Sequence, residues 1–484
     1  MSSPSSIFRA GRAIASTPGP ASPEVRGCNR FHARAVGEVS PSLRSTSMSG
    51  TKVAAKVLAK PFLSSPKAEL AKPKPVLPQA AKPASSFARD SFDAAQRRPG
   101  PDLTGAPRAK SSATPPTVSE DRSGRTVVNL GAGDDTATVS QGPKGGLTIT
   151  SGSSTIQLTA EQAGNVVIKG GDGNDKITVD VNVTTGVAIH GGKGDDYLQG
   201  GSGDDSIRGG DGRDVVYGLG GNDAVSGGAG RDYLDGGRGD DSLKGDSGKD
   251  QVIGGRGNDT LAGGSGSDVL AGGAGKDAID GGSGRDEVYS QKNDTVARSR
   301  QDTVTTVDLS EDVGTSVTVK GDANFQARVQ SDLEALESLP VGRELLSGLD
   351  ASGRSTTIRE TSGGDSASPT NDDDSWLRPD GTPGPGSDAT IKYNPTDTEY
   401  YEGDESWQVK PPVTTLFHEL VHGYNYATGT RAPGETDGVN NRELAAVGLP
   451  YDHDGDASTP DIRPSHPTEN KLREQLGLTP RPEY

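Results

Sequence analysis

The sequence predicts a multidomain protein: a disordered N-terminal region, then a parallel β-roll, then a small α+β domain. Residues 1–120 are rich in Ser, Pro, Ala and Lys, residues 191–289 repeat every nine residues without a gap, and short alternating apolar runs follow residue 300. With 69 glycines and 30% hydrophobic residues in 484, one large core is excluded. We place the three segments at 1–120, 125–295 and 300–484.

Residues 1–120 are predicted to be disordered because they cannot bury enough apolar surface to offset backbone ordering. The first 50 residues hold only two acids, Glu24 and Glu38, among abundant Ser and Arg. This composition resembles a type III secretion signal, and an ordinary disordered tail is the alternative. Because the stretch also lacks the apolar segment of a secretory signal peptide, we expect a secreted protein that uses a type III or other non-Sec route, with a secretion chaperone as a candidate partner.

The charge of the chain is unevenly distributed. The net charge is −17, yet residues 1–120 carry 18 Lys and Arg against 7 Asp and Glu, so the remainder is strongly acidic. The acidic part of the chain after residue 120 argues against nucleic acid as a partner, because phosphate binding needs a basic face. Its carboxylates suit divalent cations. The single cysteine, Cys28, allows no intrachain disulfide. No apolar run is long enough to predict a membrane span.

Eleven nine-residue units fill 191–289, with glycine at positions one and four and usually two, and an aliphatic residue at position eight. Looser copies occur near 131 and 170, so the solenoid is expected to begin near residue 125. Position six is aspartate in every unit: Asp196, Asp205, Asp214, Asp223, Asp232, Asp241, Asp250, Asp259, Asp268, Asp277 and Asp286.

Each position of this unit has a physical role. The glycines permit a tight turn, the aspartate offers a carboxylate to Ca²⁺ between stacked turns, and the aliphatic residue builds a thin core. The pattern resembles the RTX calcium-binding repeats, except that Leu219 and Asp246 stand at position two. A glycine-rich linker is the alternative, which the strict phase disfavours. Because uncompensated aspartates repel one another, we expect calcium to fold this segment.

The segment after residue 300 is predicted to be an α+β domain. Its expected strands are 304–309, 316–319, 356–359 and Ala389–Tyr393, the last as a candidate edge strand for an extended substrate. One face of a helix is marked by Phe325, Val329, Leu333, Leu336 and Leu339. Residues 363–388 are expected to be a mobile loop, and Pro411 and Pro412 to begin a second helix.

The second helix contains the segment HELVH at 418–422. His418 and His422 are one helical turn apart and can therefore bind one Zn²⁺. Glu419 is the candidate catalytic base that takes a proton from the attacking water. A chance match in an amphipathic helix is the alternative, but the chain has only six histidines and apolar residues surround the motif.

A zinc site of this type needs a third protein ligand. A metzincin is excluded, because Asn425 and Thr428 stand where it requires Gly and His. We choose Glu443, which lies 21 residues after His422 on a predicted helix. A solvated helix carboxylate is the alternative reading of Glu443. The competing ligands are Glu435, Asp437 and His453.

The segments LFHELVH at 416–422, YNYATG at 424–429 and NRELAAVGLP at 441–450 resemble type III effector zinc metallopeptidases, a family that includes an enteric effector cleaving host MAP kinases. The resemblance implies a zincin-like domain and a zinc endopeptidase acting on a host protein. In this segment Tyr451 is a candidate catalytic oxyanion donor, with a packed loop tyrosine as the alternative. The repeat region departs from the enteric members and leaves the substrate open.

These observations predict a secreted zinc metalloendopeptidase, an effector or toxin-like protease of host proteins, with a calcium-folded repeat domain. Its expected cofactors are Zn²⁺ and Ca²⁺, and its expected partner is a protein substrate. The alternative is a calcium-dependent extracellular binding or surface protein with an inactive zincin domain. The intact His418, Glu419 and His422 favour the enzyme.

Overall fold

A computed structural model describes residues 115–378, 380–395, 411–453 and 460–482, all within the compact unit Pro83–Tyr484. The predicted disordered region therefore lies outside the described residues, apart from its last few. Four of these, Thr117–Glu120, form a strand that pairs antiparallel with Thr126–Ala132.

The roll contains 21 strands, one short helix and one 3-10 turn at Pro143–Gly145. In chain order the strands are β1 (Thr117–Glu120), β2 (Thr126–Ala132), β3 (Thr136–Gln141), β4 (Leu147–Ser151), β5 (Ser154–Leu158), β6 (Val166–Asp172), β7 (Lys176–Val179), β8 (Ala188–Lys193), β9 (Tyr197–Gln199), β10 (Ser206–Gly212), β11 (Val215–Gly220), β12 (Ala224–Gly230), β13 (Tyr233–Arg238), β14 (Ser242–Gly248), β15 (Gln251–Arg256), β16 (Thr260–Gly266), β17 (Val269–Ala274), β18 (Ala278–Gly284), β19 (Glu287–Ser290), β20 (Thr295–Ala297) and β21 (Thr303–Thr306). The helix, α1, is Ala160–Ala163.

Two parallel sheets face each other in the roll. From β6 onward the even-numbered strands form one sheet and the odd-numbered strands form the other. Ile207 pairs with Val225, so two nine-residue units complete one turn. The position-eight side chains of both sheets, such as Leu198 and Ile207, are buried in a single core between the sheets. The predicted parallel β-roll is thus confirmed.

Stacking of the turns brings backbones very close together. Gly192 has φ 134°, and a Cβ there would lie 2.0 Å from the carbonyl oxygen of Gly171. Glycine is therefore the favoured residue at position two of the turn. Leu219 and Asp246, the two exceptions, adopt left-handed backbone with φ 72°, a conformation that non-glycine residues rarely adopt.

The outer faces of the two sheets differ. Positions seven and nine of the odd-numbered strands carry large side chains that are buried, among them Tyr197, Tyr217, Tyr233, Ile253 and Tyr289. The same positions of the even-numbered strands carry small or polar residues, such as those of the segment SIR at 206–208. The outer face of the odd-numbered sheet is therefore apolar and packs against the following domain.

That domain is α+β, as predicted. Its strands are β22 (Val317–Lys320), β23 (Thr356–Glu360), β24 (Ser366–Pro369), β25 (Ala389–Tyr393), β26 (Glu435–Thr436) and β27 (Val439–Asn440). Its helices are α2 (Ala323–Glu337), α3 (Pro340–Ala351), α4 (Asp372–Ser375), α5 (Pro412–Thr428), α6 (Asn441–Val447) and α7 (Glu469–Gln475). The main sheet has the order β22-β23-β25-β24, in which only β24 is antiparallel.

The strands predicted at 316–319, 356–359 and 389–393 correspond to β22, β23 and β25. The strand expected at 304–309 corresponds to β21, which pairs with β19 in the roll because its Val304 packs against the roll core. The prediction that Ala389–Tyr393 is an edge strand was wrong. The expected loop 363–388 supplies β24, which covers the outer side of β25.

Proline begins two of the helices of this domain, α3 and α5. Pro412 begins α5, as predicted, and Gly429 ends it with φ 67°, a left-handed conformation that glycine adopts easily. The face expected to run from Phe325 to Leu339 is divided: α2 ends at Glu337, and Leu339 is the N-cap of α3, because Pro340 starts a new helix. Helix α2 contacts both the roll and α5.

Candidate metal centres

Helix α5 places His418, Glu419 and His422 in the interior of the α+β domain, each at most 2% exposed. The i and i+4 spacing puts the two imidazoles on one face, with ring centroids 4.8 Å apart. Leu416, Leu420 and other apolar residues of α5 fill the opposite faces, so the helix is fixed on all sides.

Helix α6 brings Glu443 to the two histidines. Nε2 of His418 and Nε2 of His422 lie 3.1 Å apart, and Oε2 of Glu443 lies 3.3 and 3.2 Å from them. A tetrahedron with metal–ligand bonds of about 2.0 Å has edges of about 3.3 Å. The three atoms therefore occupy the corners of a triangle of the size that a tetrahedral zinc site requires.

The competing third ligands lie elsewhere. Glu435 and Asp437 are exposed on the hairpin formed by β26 and β27. His453 is partly buried in the segment that follows Tyr451. Within the described residues, His418, His422 and Glu443 are the one group of three or more acidic, His or Cys side chains whose ligand atoms converge.

Glu419 is buried beside the two histidines, and its Oε2 has no hydrogen-bond partner among the described residues. Burial raises the pKa of Glu419, and the two neighbouring histidines lower it in part, so that it lies at about 7. A carboxylate with this pKa can accept a proton near neutral pH and release it again. Its partnerless oxygen is free to bind a water or a substrate group.

A further residue, Glu469 on α7, was missed in the sequence. Its Oε2 lies 2.9 Å from Nδ1 of His418, and it also contacts Arg473 and Arg481, each at 3.4 Å. Burial alone would raise the pKa of Glu469, but Arg481, His418 and Arg473 hold it below its usual range. The ionised carboxylate accepts a hydrogen bond from Nδ1–H, so Nε2 is the nitrogen that faces His422 and Glu443. No local motif marks Glu469, because it is 51 residues from His418.

The protonation of His418 follows from the same neighbours. Burial would lower its pKa, but the carboxylates of Glu443 and Glu469 raise it to about 9. The pKa of Glu443 is lowered well below its usual value because His422 and His418 outweigh its burial. The site thus concentrates negative charge around two imidazoles and favours a cation at its centre.

Two tyrosines lie near these ligands in the chain. The ring of Tyr426 stacks on His422 at a centroid distance of 6.4 Å, and its hydroxyl donates to the carbonyl of Ala367. Tyr451 packs in a small apolar cluster with Leu444 and Ala445, which directly follow Glu443. The role of Tyr451 as an oxyanion donor stays a prediction.

The position-six aspartates line the roll in a regular pattern. Oδ1 of Asp214, for example, accepts a hydrogen bond of 2.9 Å from the backbone N–H of Asp196 in the preceding turn. The second oxygen is buried, and within the described residues it has no partner in Asp175, Asp196, Asp214, Asp223, Asp232, Asp241, Asp250, Asp259, Asp268, Asp277 and Asp286. In Asp205 it accepts from the N–H of Gly201.

This row of buried carboxyls needs a compensating charge in order to be ionised. Burial, with added repulsion from neighbouring aspartates, raises the pKa of Asp223 to about 9 and those of Asp196, Asp232 and Asp259 to about 8. The orphaned oxygens fit calcium, which takes six to eight oxygen ligands. Asp175, absent from the predicted set, is position six of the looser repeat that begins near 170.

A β-roll with orphaned aspartate oxygens and a helix carrying a His-His-Glu triangle define a calcium-repeat protein with a peptidase-like domain. Residues 314–484 match the Peptidase_M91 family, described as effector proteins. Residues 162–180, 190–225, 226–261 and 253–288 match the RTX calcium-binding nonapeptide repeat. The chain therefore combines a Peptidase_M91 effector domain with RTX repeats, which confirms the predicted fusion.

Comparison with curated proteins and with solved structures gave no match. Within the part of the chain that the structure describes, no helix is both long and apolar enough to cross a bilayer.

Proposed function

We propose that this protein is a zinc-dependent endopeptidase in which His418, His422 and Glu443 hold the metal and Glu419 is the general base. The observation that carries the proposal is the triangle of Nε2, Nε2 and Oε2 atoms with sides of 3.1 to 3.3 Å. Its dimensions and its donor set fit a catalytic zinc site with three protein ligands.

Bound zinc supplies a Lewis acid that polarises the scissile carbonyl and increases the acidity of water. Glu419 accepts a proton from the attacking water, because its buried Oε2 has no competing partner and its pKa is raised to about 7. The same carboxyl then donates this proton to the leaving amine, since its pKa lets it act in both directions near neutral pH.

Glu469 orients His418 in this mechanism. Its carboxylate accepts a hydrogen bond from the Nδ1 side of the imidazole and so directs Nε2 toward His422 and Glu443, where the metal would bind. Two arginines, Arg473 and Arg481, keep Glu469 ionised and in place. The described site thus includes both the ligands and the group that orders one of them.

The matched families support an effector that acts on a protein substrate, and we propose that the protein is exported and cleaves host proteins. The acidic roll supports export as an unfolded chain, because its carboxylates stay uncompensated where calcium is scarce. Millimolar calcium outside the donor cell supplies the ions, since extracellular modules bind calcium at about 10⁻⁴–10⁻³ M.

Zinc reconstitution tests the proposal. The metal-free protein, held in constant millimolar calcium, is mixed with a peptide library made from a digested proteome, and new N-termini are identified by mass spectrometry. We expect one zinc per chain to bind and to produce a defined set of cleavages.

The library removes the need to know the substrate, and the same protein without zinc is the control. Stoichiometric zinc binding with no new N-termini in the library would contradict the peptidase activity and favour a binding protein with an inactive zincin domain.

A further inference from the structure

The roll and the α+β domain share one hydrophobic core. Tyr197, Tyr217 and Tyr289 of the roll belong to the same buried cluster as Phe417 and Leu420 of α5. Helix α2 lies between them and contacts the odd-numbered strands on one side and α5 on the other. The outer face of the odd-numbered sheet is therefore packed against the core of the domain that holds the proposed zinc site.

A buried polar chain crosses this interface. The hydroxyl of Tyr217 on β11 donates to Oδ1 of Asp332 on α2 at 3.2 Å. The hydroxyl of Tyr393 on β25 lies 3.2 Å from Oδ2 of Asp332 and 3.1 Å from the carbonyl oxygen of Pro412, and can donate to either. Pro412 is the first residue of α5, so four residues connect the roll to the start of the zinc helix.

The centre of this chain is an ion pair that the roll covers. Arg328 is 1% exposed and Asp332 is fully buried. Nη1 of Arg328 lies 2.6 Å from Oδ2 of Asp332. The guanidinium carbon of Arg328 lies 3.3 Å from the ring centroid of Tyr217, and its Nε donates to the hydroxyl of Tyr197. The roll thus supplies a partner for each charge: an aromatic ring and a hydroxyl for the guanidinium, and a hydroxyl for the carboxylate. Nη2 of Arg328 has no hydrogen-bond partner among the described residues, so the buried pair depends strongly on these contacts from the roll.

Further polar contacts run along the length of α2. Near its N-terminus, Asn324 donates to Asp180 at 3.0 Å and accepts from the N–H of Val181 at 2.8 Å. Near its C-terminus, Glu334 forms ion pairs with Arg238 and Arg256 of the roll, at 2.9 and 2.7 Å. Helix α2 is therefore attached to several consecutive turns, and its position depends on their correct stacking.

Helix α7 provides a second connection. The hydroxyl of Tyr289, on β19, lies 3.5 Å from the carbonyl oxygen of Gln475, and Val269 lies beside Gly477. The same helix begins with Glu469, which binds His418. The roll thus contacts the helix that orders one zinc ligand and, through α2 and β25, the helix that carries two.

We propose that the calcium-folded roll positions the zinc site, so that calcium binding and zinc binding are thermodynamically coupled. This inference rests on the proposed function and adds its regulation: the peptidase is assembled only where calcium folds the roll. Tyr217, Asp332 and Tyr393 are the positioning residues. When the roll unfolds, Asp332 loses Tyr217, Arg328 loses two aromatic partners, and the N-terminus of α5 loses a fixed neighbour.

Coupling of this kind is reciprocal. In the full-length metal-free protein, zinc affinity is measured by competition with a chromogenic zinc indicator at a series of calcium concentrations, without a calcium chelator, which would also bind zinc. We expect millimolar calcium to raise zinc affinity about 10- to 100-fold. Zinc must then stabilise the calcium-bound roll by the same total coupling free energy, seen as a lower calcium midpoint when calcium-induced folding is followed by far-ultraviolet circular dichroism.

Tyr217→Phe isolates the connection, because it removes only the hydroxyl bound to Asp332. We expect the coupling factor to fall several-fold while calcium still folds the roll. Tyr233→Phe is the comparison variant, since Tyr233 lies on the same face and its hydroxyl is 3.5 Å from Asp235 of its own strand. Its ring also lies beside that of Tyr217, so this variant reports what a change next to Tyr217 does without removing the hydroxyl that binds Asp332. This comparison variant should keep the parental coupling factor. Hydrogen exchange of α5 gives an independent measure, with protection rising on calcium binding in the parent.

Equal zinc affinity and equal α5 protection with and without calcium would overturn the inference, even if the protein cleaves peptides. If calcium clearly changes zinc affinity but the protein cleaves nothing, the coupling is supported and the proposed peptidase activity is contradicted. An equal loss of coupling in Tyr217→Phe and Tyr233→Phe would show that general packing, and not the Asp332 chain, carries the effect.

Discussion

Oε2 of Glu469 lies 2.9 Å from Nδ1 of His418, across a separation of 51 residues. This contact joins the last described helix to the helix that carries the HELVH segment. It orients one imidazole so that Nε2 faces His422 and Glu443, and two arginines hold the carboxylate in its ionised form.

Replacing Glu469 by Gln should lower zinc affinity by about 10- to 100-fold, the effect typical of groups that orient a metal ligand. The amide is a weaker acceptor than a carboxylate and leaves Arg473 and Arg481 without their anion, so the melting temperature should also fall. Glu474→Gln, on an exposed position of the same helix, is the control. Parental zinc affinity in Glu469→Gln, measured by indicator competition, would exclude this role.

Glu443→Ala should lose tight zinc binding and activity, because it removes one of the three protein ligands that we propose. The expected loss exceeds the 10- to 100-fold range of orienting groups. Glu435→Ala is matched in chemistry but lies on the exposed hairpin, and it should bind zinc normally, as should Asp437→Ala. If one of these two variants or His453→Ala releases zinc while Glu443→Ala retains it, the third-ligand assignment moves to that residue.

Glu419→Gln should bind zinc with near-parental affinity and lose about 10²- to 10⁴-fold in cleavage rate, because an amide cannot accept the proton of the attacking water. His418→Ala and His422→Ala should lose both properties. Zinc content and the rate of appearance of new N-termini separate the two effects. Cleavage by Glu419→Gln at the parental rate would show that another group is the base.

The calcium-free roll should become less stable as the pH rises. The pKa values of Asp223 and Asp232 are raised to about 9 and about 8 in the folded chain, whereas an unfolded aspartate has a pKa of about 4. Between these limits the folded state binds more protons than the unfolded state, so its stability falls with increasing pH.

Far-ultraviolet circular dichroism of the calcium-free full-length chain should therefore show more β-structure near pH 5 than near pH 9. Saturating calcium should remove most of this difference, because the ions compensate the carboxylates. A β-signal that increases with pH in the absence of calcium would contradict the assignment of these aspartates as cation ligands.

The sequence determined much of this molecule because its strongest signals are local. Nine-residue spacing specifies the stacking of parallel strands, since each position recurs at the same place in every turn. Residues four apart lie on the same face of a helix, so the sequence alone also places His418 beside His422. An 18-residue alternation, with Tyr197, Tyr217 and Tyr233 only in odd-numbered strands, also marks the buried outer face of the roll, and this signal was missed.

Only the tertiary structure decided which distant residues meet. The order of strands placed β25 inside the sheet, because a segment rich in Gly, Ser and Asp provided β24. Chain folding, and no local pattern, brought Glu443, Glu469 and His418 together. The link from Tyr217 through Asp332 and Tyr393 to α5 likewise joins four separate elements. Periodicity specifies which face of an element is buried, but the partner of that face is selected by the packing of the whole chain.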